Sequence, residues 1–142
     1  MSVPVCCYTF AEWDCKLLAP LTMVRASMED ILAQTNGCGR AGIEDWLVPD
    51  TIWGLDISPV YRVHDWMYAD AQEETDEPAA LSAEIEADAV FAANLDGIIC
   101  QKSGNKLMRW LRLQIAHWYI DAVSCTDIVS PKLLAGVTNA QK

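Results

Sequence analysis

The sequence predicts an all-α domain, and three observations carry that expectation. Apolar residues recur at helical spacing in three segments, strand-like alternation is scarce, and Ser-Pro and Asn-Gly pairs fall where helices should begin and end. At 142 residues the chain fits a single domain over 1–142. Hydrophobic residues make up 52% of it, enough for a sizeable core, and six tryptophans add large anchors. No apolar run approaches the ~20 residues needed to span a bilayer.

Residues 1–20, bounded by Pro4 and Pro20, read as an irregular or partly helical arm. Over 21–34, Leu21, Val24, Met28, Ile31 and Leu32 lie close to i, i+3, i+4 spacing and predict an amphipathic helix, stopped by Asn36-Gly37. Gly37, Gly39, Gly42, Pro49 and Gly54 then mark a long ordered loop over 36–56. A loop of that length inside a small domain is usually functional.

Ser58-Pro59 predicts a helix start, with Ser as N-cap and Pro in the first turn. This helix should run through His64 to about residue 72, where the acidic stretch Glu73–Glu77 and Pro78 break it. A third helix is expected over about 79–99, with Leu81, Ile85, Ala89 (or Asp88), Ala92 and Leu95 on one side. It should lie antiparallel to the preceding helix, making a central pair. Ser103-Gly104-Asn105 reads as a turn. A fourth helix follows from Lys106 to about Ser124, with the apolar stripe Leu107, Leu111, Ile115, Trp118 and Ala122. Lys102, Lys106, Arg109 and Arg112 fall near its opposite face, and the tail after Pro131 is weakly patterned.

The formal net charge of −10 is concentrated: between Arg62 and Lys102 there are ten acids and no Lys or Arg. Such a protein is a poor sequence-independent nucleic-acid binder, because phosphate neutralisation supplies most of that affinity. A calcium site would suit the acidic segment; a solvated helix face is the simpler alternative. The cysteines are Cys6, Cys7, Cys15, Cys38, Cys100 and Cys125, an even number that would allow three disulfides. Their spacing does not suggest a small secreted framework, and no pair has C-x-x-C zinc spacing. Glu12, Asp14 and Lys16 interrupt the first twenty residues, so no Sec-type signal is expected. Mostly reduced, buried thiols follow, in a protein that is cytoplasmic as made or leaves by lysis, in a virion or through a dedicated secretion machine.

Chemistry concentrates on the segment Ser58-Pro-Val-Tyr-Arg-Val-His64-Asp65-Trp-Met-Tyr68. His64 and Tyr68 are four apart and share a helix face, while Asp65 points about a quarter turn away. Imidazole suits general-base work and needs a second group, usually a carboxylate, to fix its tautomer. Asp88, set among Ala87, Ala89, Val90 and Phe91, is the candidate. An antiparallel helix pair turning near 73–78 would return position 88 to the side of position 64. Upstream, Asn36-Gly37-Cys38-Gly39-Arg40-Ala41-Gly42 could turn main-chain carbonyls or amides toward a ligand. Calcium takes hard oxygen donors, and such a loop with one helical Asp can supply them.

Together these residues resemble the phospholipase A2 superfamily: a glycine-rich calcium loop, a helix with His-Asp-x-x-Tyr, and an antiparallel helix with a second Asp. The likeness is closest to short bacterial and phage-type members, with their Cys-Gly-x-Gly-like loop and Ala-Asp-x-x-Phe run, here Ala87 to Phe91. It covers about residues 36–96. The resemblance implies calcium-dependent hydrolysis of the sn-2 ester of glycerophospholipids. In that reading His64 activates a water, Asp88 orients His64, and Tyr68 holds Asp88. Asp65 binds Ca²⁺ with carbonyls near Gly37, Gly39 and Ala41, and the Gly39 amide assists at the oxyanion. The implied partners are a phospholipid membrane surface and an inhibitor or immunity protein. The chain departs from the pattern at Ala41, where Gly is usual unless Gly42 takes its place with a one-residue shift. It departs again at Val60 and Tyr61, where cysteines of the family's disulfide commonly stand, and in the long stretch from Gly39 to His64.

Blander alternatives stand beside each assignment. His64 could be a structural histidine satisfied by Asp88, Asp65 a surface charge, and Gly37 and Gly39 only a helix stop. His117, with no acidic partner evident in the sequence, reads as structural. Trp46, Trp53 and Trp66 could form a lipid-facing collar or pack in the core. The basic face Lys102, Lys106, Arg109 and Arg112 could meet anionic head groups or pair with the acidic third helix. Two rival functions follow. One is a catalytically degenerate binding or structural module of the same fold; the other is a metal-binding helical protein of unrelated chemistry.

Overall fold

The computed structural model describes residues 4–35 and 51–128, with side chains to residue 121. It begins with a strand pair. β1 (Val5–Phe10) and β2 (Cys15–Pro20) form an antiparallel hairpin in which Val5 faces Pro20 and Phe10 faces Cys15. This corrects the expectation of an irregular arm and of a purely all-α fold. On β2, Cys15, Leu17 and Ala19 are buried and Lys16 is exposed, the two-residue period of a strand with one face on a core. Leu18, apolar on the opposite face, hides that alternation in the sequence. The prolines, at position 4 and at the strand's last residue, do not interrupt the pairing.

Two short helices follow, α1 (Leu21–Arg25) and α2 (Met28–Gln34), where one helix over 21–34 was expected. Ala26 and Ser27 are extended, and the Ser27 hydroxyl accepts from the Asp30 amide at 3.1 Å, so Ser27 caps a new helix. Glu29 and Asp30 in its first turn suit the positive end of the helix dipole. Within the expected 36–56 loop, β3 (Thr51–Ile52) and β4 (Leu55–Asp56) form a tight hairpin. Its two turn residues, Trp53 (φ 46°) and Gly54 (φ 77°), both lie at positive φ, as a two-residue turn between twisted strands demands.

Three longer helices complete the described chain: α3 (Ser58–Glu73), α4 (Glu77–Lys102) and α5 (Lys106–Ile128). The start of α3 differs from the expected Ser cap. Ser58 is already helical, and its amide donates to the Asp56 carboxylate at 2.9 Å. Pro78 lies in the first turn of α4, so it starts that helix as well as separating it from α3. The central antiparallel pair is present as α3 and α4, joined by residues 74–76.

The α4 helix is the hub of the fold, packed against α3, α5 and β2. Its buried residues are Ala80, Glu84, Ala87, Val90, Phe91, Asn94, Leu95, Ile98 and Ile99. The expected stripe shared only Leu95 with this set; Leu81 and Ile85 are exposed. Apolar residues surround α4 on every side, so spacing alone could not select the inward face. The α5 stripe is corrected too: Ala116 and Tyr119 are buried, whereas Leu107 and Trp118 face out. Met23, Ile31, Val60 and Val63 close the core from α1, α2 and α3, with Ile57 just before α3. Each large apolar side chain so buried contributes about 1.5–3 kcal/mol.

The second edge of β2 is closed by side-chain amides of α4. The Leu18 amide donates to Asn94 Oδ1 (2.7 Å), and Asn94 Nδ2 donates to the Leu18 carbonyl (2.8 Å). Gln101 does the same for Lys16, at 2.8 and 3.0 Å. The helix thereby takes the place of a third strand at two positions.

Candidate active site

His64 lies on the face of α3 that meets α4. It is only 6% exposed, and its Nε2 is 2.9 Å from Asp88 Oδ1. The pairing follows from the antiparallel register: with a turn at 74–76, a residue twelve before the turn's end returns beside one twelve after it. Asp88 is half-buried as a residue, with its side chain largely covered. When the carboxylate is ionised it can only accept, so Nε2 carries the proton and Nδ1 holds the free lone pair. The pair is thus set to use Nδ1 as a base.

Aromatic rings fix the imidazole from both helices. Tyr68, one turn along α3 and buried, lies with its ring centre 4.5 Å from that of His64. Phe91 presents an edge at 5.3 Å from α4, and Tyr61 packs on Phe91 at 5.2 Å. Such contacts restrict rotation of the ring and keep bulk water off its sides.

Asp65 follows His64 on α3 and is half-buried. Gly37, Gly39 and Ala41, expected to supply carbonyls and an amide, lie outside the described residues. Among the described residues there is no group of three or more His, Cys, Asp or Glu side chains that could hold a metal ion. Asp65 would give a calcium ion one carboxylate, and the main-chain carbonyls expected to join it belong to the residues outside the described set. That donor chemistry is what a glycine-rich loop offers.

The described residues on either side of 36–50 are both secured to α3. At one end, the Arg62 guanidinium donates to the Thr35 carbonyl and hydroxyl, each at 3.2 Å, and the Thr35 hydroxyl donates to the Ile31 carbonyl at 2.6 Å. At the other, the β3–β4 hairpin runs into α3 through the Asp56–Ser58 contact. Arg62 stands two residues from His64, so Thr35 is held to the same part of α3.

Some side chains behave otherwise than expected. Glu84, overlooked in the sequence because charged residues are seldom interior, is buried on α4 one turn before Asp88. The register sets its position opposite Tyr68. The only available signal was its four-residue spacing from Asp88. His117 has an acidic neighbour after all: its Nε2 is 3.7 Å from Asp96 Oδ1, in a solvent-exposed pair. Trp66 is a core residue whose Nε1 donates to the Thr22 hydroxyl at 3.2 Å, while Trp53 is exposed and Trp46 lies outside the described residues. Lys102 approaches Asp14 at 3.6 Å, and Arg112 donates to the Ser103 hydroxyl (3.1 Å) and the Trp53 carbonyl (2.9 Å). Cys15 is a buried free thiol, but Cys6, Cys7 and Cys100 are free and exposed, against the expectation of buried cysteines. The side chains of Cys38 and Cys125 lie outside the described set.

Acidity is perturbed at the far end of α3. Burial pushes the Asp70 carboxyl above its ordinary value of 3.8, with the nearby Glu73 adding to the effect. No family model, curated protein or solved structure matches the chain. The likeness to phospholipases A2 thus rests on the motif residues alone.

Proposed function

We propose that the protein is a calcium-dependent hydrolase of the sn-2 ester of glycerophospholipids. The observation that supports this reading best is the buried His64–Asp88 contact at 2.9 Å through Nε2, between two helices and walled by Tyr68 and Phe91. A histidine so held presents Nδ1 to a water. Nδ1 takes one proton as the water oxygen attacks the ester carbonyl carbon. On collapse of the tetrahedral intermediate, the bond to the glycerol oxygen breaks and the imidazolium returns the proton to that oxygen. The products are a fatty acid and a lysophospholipid, and no covalent enzyme intermediate is needed. Asp88 keeps Nε2 protonated and stabilises the imidazolium as it forms.

Asp65, with main-chain carbonyls of Gly37, Gly39 and Ala41, would hold the calcium ion. Bound there, Ca²⁺ supplies positive charge that polarises the ester carbonyl and, with the Gly39 amide, favours the oxyanion.

The test is fatty-acid release from vesicles of sn-2-labelled phospholipid, with Ca²⁺ or with EGTA, comparing native protein and His64→Ala. Calcium-dependent release by the native protein that disappears in the variant is the expected result. Folded, calcium-supplied protein that releases nothing from several lipid classes would instead leave a binding module built on the same helix pair. Activity restored by zinc or iron, but not by calcium, would point to unrelated metal chemistry.

A further inference from the structure

The two edges of the β1–β2 hairpin differ. Lys16 and Leu18 on β2 turn both of their main-chain groups away from β1, to the side chains of Gln101 and Asn94. In an antiparallel ladder, a residue that turns its main chain away stands opposite one that does the same. Thr9 is opposite Lys16, and Cys7 is opposite Leu18. Thr9 and Cys7 therefore point their N–H and C=O groups outward, along the far edge of β1, and Val5 joins them by the two-residue period of the strand. Among the described residues no main-chain group meets this edge. The β2 edge is closed by a helix, and the β1 edge is open.

We infer that the open edge of β1 is a self-association surface, at which a second copy of the chain adds its own β1 antiparallel to make a four-stranded sheet. Charge favours this occupant. From Met1 to Ala11 the sequence has no Lys, Arg, Asp or Glu, although the chain carries a net charge of −10. Edges that stay unpaired usually carry a charge, a bulge or a cover, and β1 pairs with β2 in unbroken register with none of these among the described residues. Copies of so acidic a chain repel one another over most of their surface. The ten acids between Arg62 and Lys102 belong to α3, α4 and the residues joining them, and α4 lies along the opposite edge of the hairpin. The β1 edge is thus where two copies can approach at low electrostatic cost.

The strand is also its own complement. Among antiparallel registers that join outward-facing residues, the one centred on Cys7 uses every group of the edge. Val5 then meets Thr9 of the second copy, Cys7 meets Cys7, and Thr9 meets Val5. Pro4, which has no N–H to donate, falls opposite Phe10, whose main chain is turned toward Cys15 and asks nothing of it. The β-branched Val5 and Thr9 face each other across the contact, a favourable cross-strand pair. The two Cys7 residues flank the two-fold axis with Cα atoms about 5.5 Å apart. Their exposed side chains stay on the solvent side of the sheet, away from buried Cys15, Leu17 and Ala19. The inference goes beyond the hydrolase reading and does not depend on it.

The experiment is sedimentation equilibrium of the freshly reduced full chain over a range of concentrations, which should show a reversible dimer. A short bis-maleimide added to Cys6→Ser protein should join two copies through Cys7, identified by peptide mapping of the dimer band. Cys7→Ser should keep the reversible dimer and lose that cross-link. Cys7→Lys sets like charges opposite one another at the axis and should weaken dimerisation about tenfold or more. Thr9→Pro removes an outward N–H that the hairpin does not use, and should also weaken dimerisation about tenfold. Unchanged circular dichroism keeps these comparisons valid. If a variant unfolds, hydrogen exchange of the native chain decides: the Cys7 and Thr9 amides should gain protection as protein concentration rises. A chain that sediments as a monomer throughout overturns the inference. So does a dimer that Cys7→Lys and Thr9→Pro leave unchanged, because it uses another face. Protection of these amides that does not vary with concentration also overturns it, by placing another segment of the same chain on the edge.

Discussion

Asn94 engages Leu18 at both of its main-chain groups, accepting from the amide at 2.7 Å and donating to the carbonyl at 2.8 Å. One buried side-chain amide thus joins the hub helix to the hairpin. Replacing it with Ala leaves a part-buried N–H and C=O without these partners, at a cost of about 2–4 kcal/mol. Gln101→Ala, at an exposed contact of the same design, should cost less than about 1 kcal/mol. Urea unfolding of the two variants checks the contrast; equal losses would show that burial does not govern these bonds.

Asp88→Asn should separate activity from folding. An amide can present its NH₂ to Nε2, which places the imidazole proton on Nδ1 and removes the base. Fatty-acid release should fall about 10²–10⁴-fold. The far-ultraviolet circular dichroism should stay that of the native chain. A variant as active as the native protein would mean that Asp88 does not set the tautomer.

Asp70 gives a pH dependence of definite sign. Its folded-state carboxyl is raised above the ordinary 3.8, chiefly by burial and secondarily by Glu73. The folded state therefore binds the proton more tightly than the unfolded state, and this group's contribution to stability falls as pH rises through that window. Asp70→Asn should raise Tm at neutral pH relative to the native chain. The gain should shrink as pH falls through the raised value and vanish below 3.8. Thermal melts of both proteins across that range decide it; a gain that grows toward acid pH would reverse the assignment.

The thiols should fall into two kinetic classes. Burial pushes the Cys15 thiol up, Lys102 works against the rise, and Asp14 and Asp56 add to it. Thiolate is the reactive form, so Cys15 should be alkylated at least about tenfold more slowly than exposed Cys6, Cys7 and Cys100. Peptide mapping after a timed pulse of iodoacetamide reads each site separately. Cys15 labelled as fast as Cys100 would show that the hairpin opens readily from α4.

What could be read in the sequence, and what could not, divides along physical lines. The approach of Asp88 to His64 was legible because helix spacing and one short turn determine which positions of an antiparallel pair meet. The inward face of α4 was not: with apolar side chains all round it, only the neighbours decide that Phe91 goes in and Ile85 stays out. The hairpin was obscured by Leu18, whose apolar side chain breaks the visible alternation although its main chain is what α4 binds. Ser27 gave a usable signal, a hydroxyl three residues before Asp30, but continuous apolar spacing through 21–34 outweighed it. Glu84 shows the opposite limit, because composition predicts solvent for a carboxylate that the packing places inside.

Thr35 and the β3–β4 hairpin flank positions 36–50, and each is fastened to the helix that carries His64 and Asp65. Both flanks are therefore held at one part of the described fold. Closing a longer loop between fixed ends costs little, about 0.6 kcal/mol per doubling of its length. A change of length confined to positions 36–50 should accordingly leave the His64–Asp88 contact and the helix pair in place.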